Sequence, residues 1–478
     1  MKAKAFLLVG LLVAATCAAM AYANRGTGVT VIQVATTPNP VGHSPKTGIV
    51  TLTGELAQEK IHASGDRMFD LVLTLTADEV LAPQQAQGKP VDMVVVLDRS
   101  GSMSGEKIRD AKKAVKGLME GLRNQDRFAL VTYSNSVEGG ENLYYLTQDK
   151  RNILTAMVDS IPANGGTNLG AGLQRGIGVL ESFGESSRMG KIILISDGQA
   201  NEGVTDPRAL ADMAGQRKGG VQYSVTTVGL GQDFNEQLMA TVADGGRGRY
   251  YYLENPRDFL AVFKEEANWT RSVAASALSI HLPLPQGVEV VSASGYPVIN
   301  KETGAYIAPG GLLSGQTRTL YVRLQAPENV EESLNLSGIN ASYVHEGKTL
   351  TAMCPGAFNV QVTHDALAAL RSIEKETWES KVLNADYNAL KEEVAADIKA
   401  GDKEQAMERI DQYRQSVQVQ NSVVGSVAVD ENLQQDVQAL MGTVEDTFEG
   451  DAPAVAAKQK SVSKSMQYDG YKNRRGIR

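Results

Sequence analysis

Between residues 91 and 267, short unbroken apolar runs alternate with segments of helical period. Val94, Val95, Val96 and Leu97 read as a strand buried on both faces, within a predicted strand Val91–Leu97. Glu106–Leu122 places Ile108, Ala111, Val115, Leu118 and Leu122 on one helical face, and Leu169–Phe183 does the same with Leu169, Leu173, Ile177 and Leu180. Arg127–Tyr133, Lys191–Ser196, Val221–Val228 and Arg249–Leu253 predict further strands, and Phe234–Ala243 a further helix. Asp206-Pro207 offers an N-cap and a first-turn proline to a helix that Gly219-Gly220 stops, and Asn255-Pro256 caps a last one. Strands spaced by helices in this way imply an α/β unit, a doubly wound, mostly parallel sheet covered on both faces.

The flanks have a different period. Residues 27–80 alternate in short stretches such as Gly28–Val34 and Met68–Thr76. Residues 270–363 do so at Ala277–Leu282, Gly287–Ser292, Thr319–Leu324 and Ala357–Val362. Both read as antiparallel β-structure, and the simplest arrangement is one β-sandwich interrupted by the α/β unit. From His364 the period is helical again, with Leu390, Val394 and Ile398 on one segment and Val437, Leu440 and Val444 on another, which predicts a small helical bundle. The expected divisions are a leader 1–23, β-segments 24–90 and 269–363, the α/β domain 91–268, a helical segment 364–449 and a disordered basic tail 450–478.

Composition adds the compartment. Lys2 and Lys4 precede an apolar run from Ala5 to Ala15, and Ala21-Tyr22-Ala23 offers small residues for cleavage, the form of a secretory signal peptide. No other run has the length of a transmembrane helix, so an exported chain, periplasmic or extracellular in a bacterial envelope, is expected. The net charge of −8 argues against nucleic acid as a partner. Without Cys17 the chain keeps only Cys354, which reads as a buried thiol, and the five histidines are scattered without ligand spacing. Lys472, Arg474, Arg475 and Arg478 read as a solvated end.

Chemistry concentrates where predicted strands stop. The segment VVVLDRSGSMSG places Asp98, Ser100, Ser102 and Ser104 directly after a buried strand. NGGTNLGAGL places Thr167 in a Gly-rich turn before a helix, and IILISDGQANEG places Asp197 at the end of another strand. In open α/β sheets ligands bind outside the carboxyl ends of the strands, so the three loops are expected to converge. Hydroxyls from Ser100, Ser102 and Thr167 with the carboxylates Asp98 and Asp197 suit a hard divalent cation, Mg²⁺ before Mn²⁺ or Ca²⁺, and no soft ligand favours zinc or copper. Ser104 and Asn168 read as turn and cap residues at the rim, with Asn201 and Glu202 beside them.

These residues resemble a von Willebrand factor type A domain, with Asp98-x-Ser100-x-Ser102, Thr167 and Asp197 matching its metal-ion-dependent adhesion site position by position. The flanking β-segments and VDMVVVLDRSGSM are further similar to bacterial relatives of inter-alpha-trypsin inhibitor heavy chains and of the so-called calcium-activated chloride channel proteins. The resemblance implies a non-enzymatic adhesion or assembly module that captures an Asp or Glu of a protein partner through the cation. Two other readings stand beside it: a metal-dependent hydrolase, and an envelope scaffold that works through its C-terminal helices. Against hydrolysis, the sequence has no P-loop, no Gly-x-Ser-x-Gly elbow, no His-Glu-x-x-His and no histidine near the three loops.

Overall fold

The computed structural model describes residues 48–80, 89–197, 200–216, 221–231, 234–254, 258–328, 330 and 332–476. The expected leader, the strand Gly28–Val34, the helix stop Gly219-Gly220, the Asn255-Pro256 cap and Arg478 lie outside those residues.

The chain enters through β1 (Val50–Leu56), β2 (Lys60–His62) and β3 (Met68–Ala77). The α/β domain follows with β4 (Val91–Asp98), α1 (Glu106–Gly121), β5 (Arg127–Tyr133), β6 (Val137–Gly139), β7 (Tyr144–Tyr145), α2 (Gln148–Ser160) and α3 (Leu169–Phe183). It continues through β8 (Met189–Ser196), α4 (Pro207–Gly215), β9 (Tyr223–Leu230), α5 (Glu236–Gly245), β10 (Arg247–Leu253) and α6 (Phe259–Ser272). Its sheet has the order β10-β9-β8-β4-β5-β6, with β7 also on β5. All pairings are parallel except those of β6 and β7.

Alternation along β4 shows why the sheet needs two covers. Val91, Met93, Val95 and Leu97 pack with Ile108, Val115 and Leu118 of α1 and Phe263 of α6. Val94 and Val96 pack on the opposite face with Leu169, Leu173 and Leu180 of α3 and Leu210 of α4. Glycines let α3 approach closely: a Cβ on Gly176 would lie 2.6 Å from Val96 Cγ2, and one on Gly172 2.6 Å from the Tyr133 ring. Helix α2 and the short strands β6 and β7 are not evident from the periodicity. In α2 only Leu154 and Val158 are buried, while Ile153 and Met157 face solvent, so its apolar signal is blurred.

After α6 come β11 (Val273–Leu282), β12 (Glu289–Ala293), β13 (Val298–Lys301), β14 (Gly304–Leu313) and β15 (Thr317–Gln325). Then come β16 (Ser333–Ser337), β17 (Asn340–His345), β18 (Lys348–Met353) and β19 (Ala357–Thr363). The interrupted sandwich is present: β3 pairs antiparallel with β15 in unbroken register from Met68↔Gln325 to Thr76↔Thr317. The sheets β1-β3-β15-β12, β13-β14-β11-β17-β18 and β16-β19-β2 share one core containing Leu71, Leu73, Ile280, Ile307 and Val322. Cys354 is buried at its edge, and that burial pushes the thiol up to about 11.

The helical segment comprises α7 (Ala366–Arg371), α8 (Lys375–Lys381), α9 (Tyr387–Ala400), α10 (Lys403–Val424), α11 (Val427–Gln434) and α12 (Asp436–Thr447). Leu390, Val394, Ile398, Ile410, Val437 and Val444 form its core.

One expectation is overturned here: the segment expected as a disordered tail, 450–478, is ordered over its described residues 450–476. Ala452–Arg474 form a 23-residue helix, α13, capped by the Asp451 carboxylate accepting from the Ala454 N–H. The polar sequence conceals it because its buried positions are Ser463, Lys464, Met466, Gly470 and Tyr471 rather than an apolar stripe. Gly470 sits so close to α9 that a Cβ would approach Asn388 O to 2.6 Å. Nor do Arg474 and Arg475 belong to a solvated end. Arg474 pairs with Glu392 at 2.7 Å, and Arg475, 3% exposed, pairs with Asp244 of α5. Lys464 donates to Phe234 O and to Glu236, both at 2.7 Å, so α13 is fastened to the α/β domain as well as to the bundle.

Candidate metal centre

The sheet order places a crevice at the carboxyl end of β4. The chain leaves β4 toward β5 and leaves β8 toward β9, so the two loops diverge and open a gap between neighbouring strands. Asp98 ends β4, and Asp197 follows β8 directly.

Local hydrogen bonds shape the first loop. The Ser100 N–H donates to Asp98 Oδ1 at 2.8 Å, turning the chain into a short 3₁₀ segment, Gly101–Met103. The Ser100 and Ser102 hydroxyls lie 3.0 Å apart, and Ser102 Oγ donates to Asp197 Oδ1 at 2.8 Å. Asp98, Ser100, Ser102 and Asp197 thus form one hydrogen-bonded cluster bridging the two strand ends. The Thr167 loop is stitched beside it. Gly101 N–H donates to Gly165 O at 3.0 Å, where Gly165 takes φ of 84°. Asn201 Oδ1 accepts from the Thr167 N–H at 2.9 Å, and Asn201 N–H returns a bond to Thr167 O at 3.2 Å. Thr167 is buried, and its hydroxyl has no hydrogen-bond partner among the described residues.

The charges are unevenly matched. Asp98 is fully buried and, among the described residues, accepts from neutral donors: Ser100 N–H, Ser196 Oγ at 2.6 Å and Tyr133 OH at 3.4 Å. Burial pushes its carboxyl above the usual carboxylate value. Hydrogen bonds from Ser196 and Ser100 offset only part of that rise, and nearby Asp197 adds to it. Asp197 is buried too, and the ammonium of Lys107, from the first turn of α1, donates to its Oδ2. Among the described residues no group of three His, Cys, Asp or Glu side chains is placed to hold a metal. A cation here would be held by hydroxyls with at most two carboxylates, a donor set that fits a hard, water-retaining divalent ion.

The rim residues are occupied otherwise. Ser104 Oγ donates to Gly101 O at 2.6 Å, Asn168 caps α3 by accepting from Ala171 N–H at 3.1 Å, and Asn201 holds the Thr167 backbone. Glu202 accepts from Asn135, whose Oδ1 in turn receives Gly166 N–H. Lys107, Ser196 and Arg99 escape a reading by motif. Arg99 occupies the variable position between Asp98 and Ser100, yet its guanidinium joins Asn164, Ser136 and Glu138 and so clamps the loops together. A basic residue one helical turn after the serine-rich loop is the only signal that could have marked Lys107.

Residues 92–265 match the family described as von Willebrand factor type A domain. The uncharacterized protein YfbK of Escherichia coli is 32% identical over 177 residues, which are 37% of this chain and 30% of that protein. Human inter-alpha-trypsin inhibitor heavy chain H4 is 28% identical over 35% of this chain and 19% of its own length. The matched segment therefore spans less than a third of either relative. Among solved structures, a von Willebrand factor type A protein from Catenulispora acidiphila superposes with TM-score 0.64 over 90% of this chain and 98% of that one, at 18% identity. That likeness shows the fold, flanking domains included. The matched domain type is a protein–protein interaction module. Among the described residues no helix is long and apolar enough to cross a membrane.

Proposed function

We propose that this chain, a von Willebrand factor type A protein related to YfbK and the inter-alpha-trypsin inhibitor heavy chains, is an exported binding module that captures an Asp or Glu of a protein partner through a divalent cation, Mg²⁺ first. The observation that carries this reading is the hydroxyl chain from Ser100 through Ser102 to Asp197, bridging two strand ends beside the free Thr167 hydroxyl. Ser100, Ser102 and Thr167 would hold the ion, with Asp98 and Asp197 balancing charge partly through water. Such an ion supplies an incompletely neutralised positive charge at the crevice, and a carboxylate is the group that charge attracts most. Desolvating both groups offsets part of the gain. Among the described residues no histidine stands at this edge to serve as a general base, so binding rather than turnover is proposed.

The test is Mn²⁺ binding, followed by electron paramagnetic resonance, together with affinity capture from envelope extract with and without chelator. Asp98→Ala, Ser100→Ala and Thr167→Ala are each expected to lose Mn²⁺ binding and capture of the same partner while keeping the wild-type circular dichroism. Capture that persists in chelator and in all three variants would sink the proposal and favour the helical segment as the adhesive surface.

A further inference from the structure

At the opposite, amino-terminal edge of the α/β sheet, β10, β14 and the end of α13 enclose two adjoining recesses of about 420 and 300 Å³. Arg247 and Trp269 line both, and Arg318 and Arg475 line the smaller. Charge at this junction is not balanced. Arg475 is matched by Asp244 and lies over the rings of Tyr296 and Tyr471, at 4.8 and 3.8 Å. Arg249, also on the wall, is matched by Glu265 at 2.7 Å.

The other two guanidinium groups face no carboxylate among the described residues. Arg318, 9% exposed, donates only to the backbone carbonyls of Pro309 and Gly311. The Arg247 side chain, half-buried, makes no hydrogen bond or ion pair among the described residues, and desolvation pushes its guanidinium below the usual value with no negative charge opposing it. Its backbone φ of 56° is a conformation side chains disfavour, of the kind that persists where the surroundings demand it. The indole N–H of Trp269, a buried residue, has no acceptor either. Cations drawn from water without a counter-charge, Arg318 almost fully and Arg247 in part, and a buried donor without an acceptor are both costly. One anion at the junction would answer all three.

We propose that this junction binds a small oxyanion, whether phosphate, sulfate or a free carboxylate, through Arg247, Arg318 and Trp269. Guanidinium forks match the oxygen pairs of each of these anions. The recess volumes include space open to solvent, and the enclosed part is far smaller than an ordinary ligand pocket, which favours an ion over a nucleotide or a peptide. Arg247 comes from the α/β domain, Arg318 from the sandwich, and Arg475, the residue that follows α13, closes the smaller recess, so the anion would brace three parts of the molecule at once. This site is independent of the cation at the other edge.

Calorimetric titration and thermal shift of the full chain with phosphate, sulfate and acetate, against chloride at matched ionic strength, test it. At least one oxyanion is expected to bind saturably and raise the melting temperature, and the ranking of the three identifies the preferred class. Arg247→Gln and Trp269→Phe, whose side chains carry no structural hydrogen bond, are expected to fold and to weaken that binding at least tenfold. Retained Mn²⁺ binding in both variants separates this result from any failure of the cation site. No saturable binding beyond chloride, or undiminished binding in Arg247→Gln, would overturn the proposal.

Discussion

The two edges of the α/β sheet bury carboxylates equally well but treat them in opposite ways. At the amino-terminal edge Asp92, 1% exposed, accepts from Arg127 at 2.8 and 2.6 Å and from Arg188 at 2.6 Å. Asp126 there accepts from Arg123 and Arg271. At the carboxyl-terminal edge Asp98 meets hydroxyls and one backbone N–H, and Asp197 meets the Ser102 hydroxyl and a single lysine ammonium. Planar guanidinium groups in forked contact lock a carboxylate into the fold. Hydroxyls and a lysine leave it able to exchange partners. Burial alone therefore does not distinguish a structural carboxylate from a functional one; the charge and rigidity of its partners do.

Breaking the rigid edge is expected to have the largest effect. Asp92→Ala leaves Arg188 buried without its counter-charge and Arg127 with only the half-exposed Glu185, and is expected to cost about 3–5 kcal/mol in urea unfolding. Asp98→Asn, equally buried, is expected to change metal-free stability by less than about 1 kcal/mol, because burial already works against the Asp98 charge. Equal losses in the two variants would erase the distinction between the edges.

The seam between α13 and the α/β domain ranks next. Burial alone would push the Glu236 carboxyl up, but hydrogen bonds from Lys399 and Lys464 outweigh it and hold the group below its usual 4.5. A carboxyl lowered in the folded state contributes in full above pH 4.5 and loses that contribution as pH falls through the lowered value. Glu236→Gln is thus expected to cost about 3 kcal/mol at pH 7, with the difference from wild type vanishing on acidification. A difference that does not change with pH would show that the ion pair is not what holds the seam.

Smaller effects sharpen the flexible edge. Lys107→Met removes the cation hydrogen-bonded to Asp197 and is expected to raise Mn²⁺ affinity about tenfold by titration calorimetry, since one nearby like charge no longer opposes the ion. Unchanged affinity would mean that Lys107 and the ion do not share Asp197. Smallest of all, chelator is expected to lower the melting temperature by about 2–4 °C, the loss of one moderate ligand. Complete unfolding would make the cation structural instead.

How far each region was legible follows from what its residues do. The α/β core was readable because Val94–Leu97 and the stripe of α1 repeat at strand and helix periods, and burial on a sheet or under a helix imposes those periods. The clustering of Asp98, Ser100, Ser102 and Asp197 was readable because they stand at the carboxyl ends of neighbouring buried strands, where an open α/β sheet gathers its loops. Their clamps were not. Arg99 looks like any charged loop residue, and Lys107 like any basic residue on an exposed helical turn, until folding sets them against Glu138 and Asp197. Helix α13 stayed hidden for a related reason: Ser463, Lys464 and Gly470 are buried by partners far away in sequence, not by an apolar stripe of their own.

By itself, the amino-acid sequence determined the period of each segment, the doubly wound unit set inside β-structure, and the small oxygen donors at its strand ends. These are local properties, fixed by the spacing of side chains along one segment and by the need to bury the apolar face. Tertiary structure alone decided which charges are neutralised. Glu236 with Lys464, Asp244 with Arg475, and Arg247 with no carboxylate are outcomes of segments brought together across hundreds of residues. Charge pairing acts through space over a few ångströms, and no periodicity along the chain records which distant group will arrive there.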